Sequence, residues 1–405
     1  MPIIVSNIRV SIDTSDKAII NLALNKVNAN NVKNAYIYKK SLDARRKDIF
    51  NVCSVIINLT ENEAEIAKAI SDPFVYYKEL KPLDLSTGDI KPKGAIAVIG
   101  FGPAGIFASH ILAKLNYKPI IFERGSCIED RTKNVDTFIK TRKLNANDNI
   151  QFGEGGAGTF SDGKLTTRIS DSRCSYVLEQ FNKHGASSEI LYNAKPHIGT
   201  DVLRNVIKSM REEILLSGGE IHFNSLVTDI NISNGKVKSI ISNNIEYEVE
   251  AVILAVGHSA RDTFKMIDNS GVPIFSKPFA VGVRIEQLQS DIDNGLHVKN
   301  GEYQLSSGNV YTFCMCPGGY VMAATSEEEC VVVNGMSYHA RDGKNANSAL
   351  VTTVDAFDNP FDGIEFQREL EKKAFIAGGS NYSAPCTSVK GFINDKPDLN
   401  GITPT

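Results

Sequence analysis

Residues 95–125 constrain the fold more than any other part of the chain. The apolar strand Ile96–Ile99 runs into a glycine-rich turn at residues 100–105, and an apolar helix and a second apolar strand follow. In such a unit the first glycine permits a tight turn, the second lets the backbone approach a pyrophosphate, and the third lets helix and strand pack closely. The helix N-terminus also offers unpaired N–H groups to phosphates. The pattern predicts a dinucleotide-binding unit with contacts from Gly100, Gly102, Pro103, Ala104 and Gly105.

Glu123 ends the second strand of this unit, where an acidic side chain accepts hydrogen bonds from ribose hydroxyls. A second match to the glycine pattern, at residues 153–158, follows no apolar strand, and the residues after it do not favour a helix. We therefore do not interpret it as a second dinucleotide-binding turn. Such a loop does bring backbone amides close to a flat ligand, so Gly155 and Gly156 are candidate cofactor contacts.

The composition is that of a globular protein with several domains. At roughly 100–200 residues per domain, 405 residues predict two to four domains. A net charge of −3 gives no electrostatic reason to expect a nucleic-acid or anionic-membrane partner. Seven scattered cysteines fit reduced thiols better than a disulfide framework, and the N-terminus lacks a signal-peptide pattern, so we expect a cytoplasmic protein. The uncharged stretch between Lys93 and Lys114 contains glycines and a proline that suit a turn better than a membrane helix.

Residues 1–85 form the first predicted domain. Apolar spacing indicates the order strand, helix, strand, strand, helix, with a closing strand at residues 74–77. That order is typical of an α/β plait. Residues 39–47 include five basic side chains, which form either an RNA or partner surface or a solvated strand end, and we prefer the solvated strand end.

The rest of the chain divides into a linker and two further predicted domains. Residues 86–93 carry Gly88 and Pro92 and are interpreted as the linker. In residues 94–270 apolar strands alternate with helices, which predicts a Rossmann-like domain. Residues 271–405 contain the mostly strand-like segment 279–351 and are predicted to form a β-rich substrate-side domain.

Three segments resemble the glutathione-reductase-like FAD flavoproteins. The run GFGPAG, followed by ERG at residues 123–125, is similar to their FAD fingerprint, and residues 226–230 are similar to the strand whose backbone meets the adenine. Residues 251–257 resemble the strand and turn that close over the nucleotide, with Val256 where threonine is usual. The resemblance implies FAD as the cofactor and adds Arg124, Val227, Ala255 and Gly257 to the candidate cofactor contacts.

Residues 151–165, 312–319 and 345–350 resemble a narrower group, the bacterial FAD-dependent dehydrogenases of unassigned substrate. That resemblance implies an α/β fold with a Rossmann-like FAD-binding domain, an inserted mixed β-rich substrate domain and a preceding α+β plait. Flavoproteins of this kind usually end with a strand, a Gly-Asp or Gly-Glu turn and a helix directed at the flavin. The sequence after residues 377–379 shows no such pattern, so we expect this C-terminal FAD-closing segment to be missing.

The flavin would carry the hydride chemistry, and the protein would orient the reactants. Cys127 and Cys174 lie far apart in sequence, which disfavours a disulfide reductase. Without a second nucleotide-binding unit an external electron donor is required, and NAD(P)H is one candidate. Cys314, Cys316 and Lys164 are the candidate catalytic residues: a thiolate could act as acid, nucleophile or redox partner, and Lys164 could contact and stabilise a reduced flavin. Alternatively, the cysteines are small apolar strand residues.

His258 is a candidate acid or base, and Arg284 and Arg341 are candidate anion-binding residues, although a loop histidine and structural ion pairs are the simpler interpretations. The histidine spacing indicates no metal site. We predict an FAD-dependent oxidoreductase that transfers a hydride between flavin and an unidentified small-molecule substrate. The alternatives are a flavin-dependent monooxygenase and a non-catalytic protein that binds RNA or protein through its N-terminal domain. The expected partners are a small-molecule substrate or electron donor, with no membrane or nucleic acid, and the oligomeric state is open.

Overall fold

The protein has a mixed α/β fold, and the computed structural model describes residues 2–28, 31–44, 48–60, 62–80, 83–167, 169 and 171–399. Positions 45–47 of the basic segment and the C-terminal run 401–405 therefore lie outside the described residues. The chain forms two compact units, residues 1–86 with 164–198 and residues 87–163 with 199–405. Within the described ranges, no helix is both long enough and apolar enough to cross a bilayer.

Helices and strands follow one another along most of the chain. The helices are α1 (Asp16–Val27), α2 (Glu63–Ala69), α3 (Pro103–Lys114), α4 (Ile128–Thr141), α5 (Ser172–Lys183), α6 (Thr200–Leu216), α7 (Arg261–Asn269), α8 (Gln289–Leu296), α9 (Pro360–Ala377) and α10 (Val389–Ile393). The strands are β1 (Ile3–Ser11), β2 (Val32–Asp43), β3 (Phe50–Leu59), β4 (Val75–Tyr77), β5 (Ile96–Ile99), β6 (Ile120–Phe122), β7 (Glu220–His222), β8 (Val227–Ser233), β9 (Lys236–Ser242), β10 (Ile245–Glu248), β11 (Ala251–Leu254), β12 (Phe279–Leu288), β13 (Ser306–Ser307), β14 (Val310–Thr312), β15 (Tyr320–Ala323), β16 (Val333–Met336) and β17 (Asn345–Val354).

The first unit is built on a four-stranded antiparallel sheet in the order β2-β3-β1-β4. Its N-terminal elements follow along the chain as β1, α1, β2, β3, α2 and β4. α1 begins after Ser15, whose hydroxyl caps the helix, and ends at Asn28 in the left-handed region. One apolar core joins the sheet to α1 through the fully buried side chains of Ile3, Ile19 and Ile57. Residues 164–198 contribute α5 to this unit.

The second unit contains a parallel sheet in the order β11-β5-β6-β7. β5 is buried along its whole length, as expected for a central parallel strand covered on both faces. A separate antiparallel sheet, β8-β9-β10, shares one apolar core with the parallel sheet through Phe122 and Val227. The turn from β8 to β9 is at Asn234 and Gly235, both with positive φ, as a two-residue hairpin turn requires.

The remaining strands of the second unit pair as β12-β17-β14-β13 and as β15-β16, all antiparallel. Within the segment predicted to be mostly strand-like lies one helix, α8, which buries Gln289 and Ile292 and exposes polar side chains. α3 also begins earlier than its apolar spacing predicts, at Pro103. A proline at the first helical position costs little, because the N–H it lacks has no partner inside the helix.

Candidate functional site

The glycine turn (residues 100–105) connects β5 to α3, and two of its glycines are required by the neighbouring backbone. Gly100 has a φ of 95°, and a Cβ there would lie 2.5 Å from the carbonyl oxygen of Ala255. A Cβ on Gly105 would lie 1.9 Å from the carbonyl oxygen of Gly100. Gly102 is different: its φ is −76°, and the nearest atom to a Cβ would be the Gly156 Cα at 3.7 Å. The protein's own packing therefore leaves room at Gly102, directly at the N-terminus of α3.

The Glu123 carboxylate is buried and joins the two glycine-rich segments. Its Oε2 accepts a hydrogen bond from the Phe101 N–H at 2.7 Å, and its Oε1 accepts from Gly125 and Gly153 at 3.0 and 2.8 Å. A carboxylate has about four acceptor positions, so these bonds leave about one for a ribose hydroxyl. Glu123 thus has a structural role that its sequence position did not predict, and its ribose contact stays a prediction.

The glycine loop (residues 153–158) lies against the glycine turn. The Gly155 N–H donates to the Phe101 carbonyl at 2.8 Å, and a Cβ on Gly156 would lie 3.0 Å from the Gly102 Cα. A short 3-10 helix, Gly156–Phe160, follows. The two candidate contacts Gly155 and Gly156 are therefore next to the turn that is predicted to hold the pyrophosphate.

Arg131 of α4 supports the glycine loop from inside the protein. Its side chain is fully buried, and its guanidinium donates to the carbonyl oxygens of Asn149, Ile150, Gly153 and Glu154. Burial lowers the pKa of Arg131 to about 10, so the side chain stays charged at neutral pH. No sequence motif points to Arg131, so its role in holding the glycine loop was not predicted.

A second arginine, Arg211, connects the glycine loop to α4 and α6 by hydrogen bonds. Arg211 of α6 donates to Glu154 Oε2 at 2.7 Å and to Glu129 Oε1 of α4 at 2.8 Å. Glu154 Oε2 also accepts the Ile128 N–H at 2.7 Å. The hydrogen bond from Arg211 holds the pKa of Glu129 well below its ordinary value, whereas burial raises the pKa of Glu154. The loop is thus fixed by charged groups that are far apart in the sequence.

A cavity of about 360 Å³ is lined in part by residues that follow the strands of the parallel sheet. Arg124 comes directly after Glu123, donates to Asp262 Oδ1 at 2.8 Å, and lies 4.2 Å from the ring centroid of Phe152. Ser259 follows Gly257, whose φ is 73°. Ligands of α/β sheets bind outside the carboxyl ends of the strands, which is where these residues come in the chain.

An ion-pair network lines another part of this cavity. Arg261 of α7 bonds Glu327 at 2.5 Å and Glu371 of α9 at 2.7 Å, and Arg368 bonds Glu327 at 2.9 Å. Glu327, Cys330 and Glu371 have potential ligand atoms within 4.8 Å of one another. Both carboxylates are already paired, and burial together with the two negative charges raises the pKa of Cys330 to about 11. A metal requires the thiolate, so we do not assign a metal site here.

The other predicted cofactor contacts lie in different places. Val227 begins β8 and is buried, and the Ala255 N–H donates to the Ile99 carbonyl at 2.8 Å. Lys164 belongs to the first compact unit, where it forms an isolated β-bridge with His197. The roles proposed for these residues stay predictions.

The candidate catalytic cysteines lie in the strand-rich part of the second unit. Cys314 is exposed, and Cys316 is buried and forms a β-bridge with Asn347. Arg341 pairs with Asp162 at 3.1 Å, which agrees with its ion-pair interpretation. Arg284 has no carboxylate within ion-pair distance among the described residues, and its Nη1 instead donates to Asn347 Oδ1 at 2.6 Å.

Comparison with known proteins finds family-model matches and a relative that aligns with nearly all of this chain. Residues 278–404 match the family model described as "FAD-dependent protein, C-terminal domain-like", and residues 1–58 match a domain of unknown function. The chain is 43% identical to an uncharacterized protein of Clostridium beijerinckii, over 98% of this chain and 78% of that protein.

Solved structures give weaker likenesses. Glycine oxidase from Geobacillus kaustophilus has a TM-score of 0.36 at 10% identity, covering 66% of this chain and 73% of that one. The amino acid oxidase NikD, essential for nikkomycin biosynthesis, has a TM-score of 0.34 at 10% identity, covering 66% and 72%. THI4 of Thermovibrio ammonificans has a TM-score of 0.31 at 15% identity, covering 45% of this chain and 64% of that chain, just under two thirds.

Proposed function

The chain belongs to the same family as the Clostridium beijerinckii protein, and from this premise we propose that it is an FAD-dependent oxidoreductase. The proposed reaction is hydride transfer between bound FAD and a small-molecule substrate. The description of the family model matched by residues 278–404 supports FAD dependence. The observation that carries the proposal is the glycine turn, in which protein packing requires Gly100 and Gly105 but leaves space at Gly102.

The topology supports a finer assignment of the fold. We assign the N-terminal residues to an α/β plait, because their strand order is β2-β3-β1-β4 and every pairing is antiparallel. We assign the parallel sheet β11-β5-β6-β7 with α3 to a Rossmann-like FAD-binding domain. The domain limits 1–85, 94–270 and 271–405 and the substrate-side role of the last segment are part of this proposal.

The described residues fit the proposed cofactor. FAD, when bound, supplies the hydride-transfer chemistry. The N-terminus of α3 directs backbone N–H groups and the positive end of the helix dipole at a phosphate, and Gly102 carries no side chain that would exclude it. The glycine loop, held by Arg131, places Gly155 and Gly156 next to the turn. Glu123 retains about one acceptor position for a ribose hydroxyl.

Two alanine substitutions in the glycine turn test the cofactor site. We expect Gly102→Ala to fold normally, because its Cβ would meet nothing closer than 3.7 Å, but to weaken FAD binding about tenfold or more by blocking the close approach of the pyrophosphate. FAD affinity is measured by quenching of flavin fluorescence, and folding by thermal unfolding.

Gly105→Ala is the matched control. Its Cβ would lie 1.9 Å from a carbonyl oxygen, so we expect a marked fall in melting temperature together with loss of binding. Absence of FAD binding by the unmodified chain, or equal binding by the Gly102→Ala variant, would contradict the proposal.

The electron donor and the substrate class require a second experiment. The flavin-reconstituted protein is mixed anaerobically with NADH, NADPH and candidate small-molecule reductants, and flavin bleaching is followed at its visible absorbance. In a parallel aerobic assay, turnover without oxygen consumption supports a dehydrogenase, whereas NAD(P)H-dependent oxygen consumption supports the alternative of a flavin monooxygenase.

A further inference from the structure

Four residues from separate strands converge in the strand-rich part of the second unit. The Arg284 cluster consists of Arg284 on β12, Asn347 on β17, Gly335 on β16 and Cys316 beside β17. An ideal Cβ on Gly335 would lie 2.5 Å from Asn347 Oδ1, 2.6 Å from Arg284 Nη1 and 2.7 Å from Cys316 Sγ. The three functional groups therefore pack on the same glycine, which can have no side chain.

Among the described residues, no carboxylate lies within ion-pair distance of the Arg284 guanidinium. Its Nη1 donates to the neutral amide oxygen of Asn347 at 2.6 Å, and its guanidinium is also in hydrogen-bonding contact with the thiol of Cys316. Its Nε is buried without an acceptor, and so is the Nδ2 of the fully buried Asn347. Burial lowers the pKa of Arg284. A charge that is partly withdrawn from water in this way is stabilised by a compensating charge close by.

The compensating charge has few possible sources. Besides Cys316, Cys314 and Glu286 are titratable groups that interact with the Arg284 charge. Glu286 lies on the same strand but is exposed, and it forms no ion pair with Arg284 among the described residues, so water screens its charge. Cys314 is exposed as well. Cys316 is the acidic group that is both buried and in contact with the guanidinium.

We propose that Cys316 is a thiolate paired with Arg284 and that it is a peroxide-reactive site of this protein. The thiolate sulfur attacks one oxygen of a hydroperoxide, a sulfur–oxygen bond forms and the oxygen–oxygen bond breaks. The sulfur is oxidised by two electrons to a sulfenic acid, and the second oxygen leaves as hydroxide and takes a proton from solvent to become water. Cys316 is 6% exposed, which favours a reactant as small as hydrogen peroxide over larger electrophiles.

The thiolate accounts for the cluster better than a packing role for the cysteine. A cysteine that only fills space needs no cation, and burying an arginine against a neutral thiol leaves its charge unpaired. Pairing of the thiolate with the guanidinium satisfies both groups. This inference does not depend on FAD, so a failed FAD titration leaves it intact.

The test is the rate at which hydrogen peroxide oxidises Cys316 in the full chain. The reduced protein, carrying Cys314→Ser so that the label is localised, is treated with peroxide and dimedone, and mass spectrometry quantifies labelled Cys316. The internal control is Cys386, which is exposed in the same molecule. We expect Arg284→Gln to slow labelling of Cys316 about tenfold and Arg284→Lys to keep it within about threefold, with Cys386 unchanged in both. Equal rates in the parent and the Arg284→Gln variant would overturn the proposal.

A pH profile keeps the inference testable if the Arg284 variants do not fold. In the parent protein we expect the Cys316 rate to change by less than about twofold between pH 6 and 8, because the thiolate is already formed. A free small-molecule thiol assayed in parallel should react about tenfold faster per pH unit over the same range, because only its thiolate reacts. A Cys316 rate that rises as steeply as that of the free thiol would contradict the ion pair.

Discussion

Single buried side chains set the geometry of the proposed cofactor site. Glu123 joins the glycine turn to the glycine loop by hydrogen bonds to three backbone N–H groups, and Arg131 holds the loop by bonds to four carbonyl oxygens. Both residues bond backbone atoms, so neither needs a partner of a recognisable side-chain type. The glycine loop therefore keeps its conformation through hydrogen bonds to these two side chains, in place of the backbone hydrogen bonds of a helix or sheet.

Replacing Arg131 should loosen the glycine loop. We expect Arg131→Met to lower the free energy of unfolding by about 2–4 kcal/mol, because buried carbonyl oxygens lose their donors, and to weaken FAD binding about tenfold. Arg131→Lys should lose less unfolding free energy and less FAD affinity, because the charge remains and one donor position is kept. Urea unfolding and flavin-fluorescence titration measure the two effects.

The control for this prediction is Arg173→Met. That arginine is largely exposed and pairs with Asp171, and such surface pairs contribute about 0–1 kcal/mol. An Arg131→Met variant that binds FAD as tightly as the parent would show that the loop does not need this support.

At the scale of elements, charged contacts join helices that are far apart in the sequence. Arg261 of α7, Glu371 of α9 and Glu327, which lies between β15 and β16, form one network. Burial acts to raise the pKa of Glu327, but hydrogen bonds from Arg368 and Arg261 outweigh it and leave that pKa below its ordinary value. The network therefore gives α7 and α9 a pH-dependent connection.

Glu327→Gln should change the acid stability of the protein. A carboxyl group whose pKa is lowered by folding stabilises the fold above its unfolded pKa of about 4.3, and this stabilisation is lost as the pH falls through the folded value. We expect the variant to melt at a lower temperature than the parent at pH 7, and we expect this difference to be smaller at pH 3. A melting-temperature difference that is equal at both pH values would show that the charge of Glu327 is not responsible.

At the scale of the whole molecule, the chain passes from the first compact unit to the second at residue 87. It returns to the first unit for residues 164–198 and then continues in the second. The proposed cofactor contacts in the glycine turn and the glycine loop all belong to the second unit. We therefore expect damage to the two apolar cores to have different effects on FAD binding.

A matched pair of isoleucines tests this division. Ile57 on β3 and Ile121 on β6 are both fully buried, and replacing either with alanine should cost about 2–5 kcal/mol of unfolding free energy. Ile57→Ala should leave the FAD affinity of the folded protein within about twofold of the parent, whereas Ile121→Ala, beside Glu123, should weaken it. Equal losses of affinity in the two variants would argue against a cofactor site confined to the second unit.

Much of the local structure could be predicted from the sequence. β5 has the bounds that its apolar run predicts, because a short apolar run between two glycines has few other stable arrangements. α8 could not be predicted, because its few buried positions lie in a polar stretch whose helical spacing covers barely two turns. The bounds of α3 needed the N-terminal preference of proline as well as apolar spacing.

The sequence by itself determined the strand–glycine–helix unit, since its apolar strand, glycine turn and helix are contiguous within residues 95–125 and the constraint on Gly105 is local, from the carbonyl oxygen of Gly100. Only the tertiary structure decided that Gly156 faces Gly102, that Arg131 supports the glycine loop, and that Arg284 meets Cys316. These pairs are distant in the chain and join unlike atoms, such as a guanidinium and a carbonyl oxygen or a cation and a thiol. The physical reason is that long-range packing, and no local spacing rule, determines which buried polar groups satisfy one another.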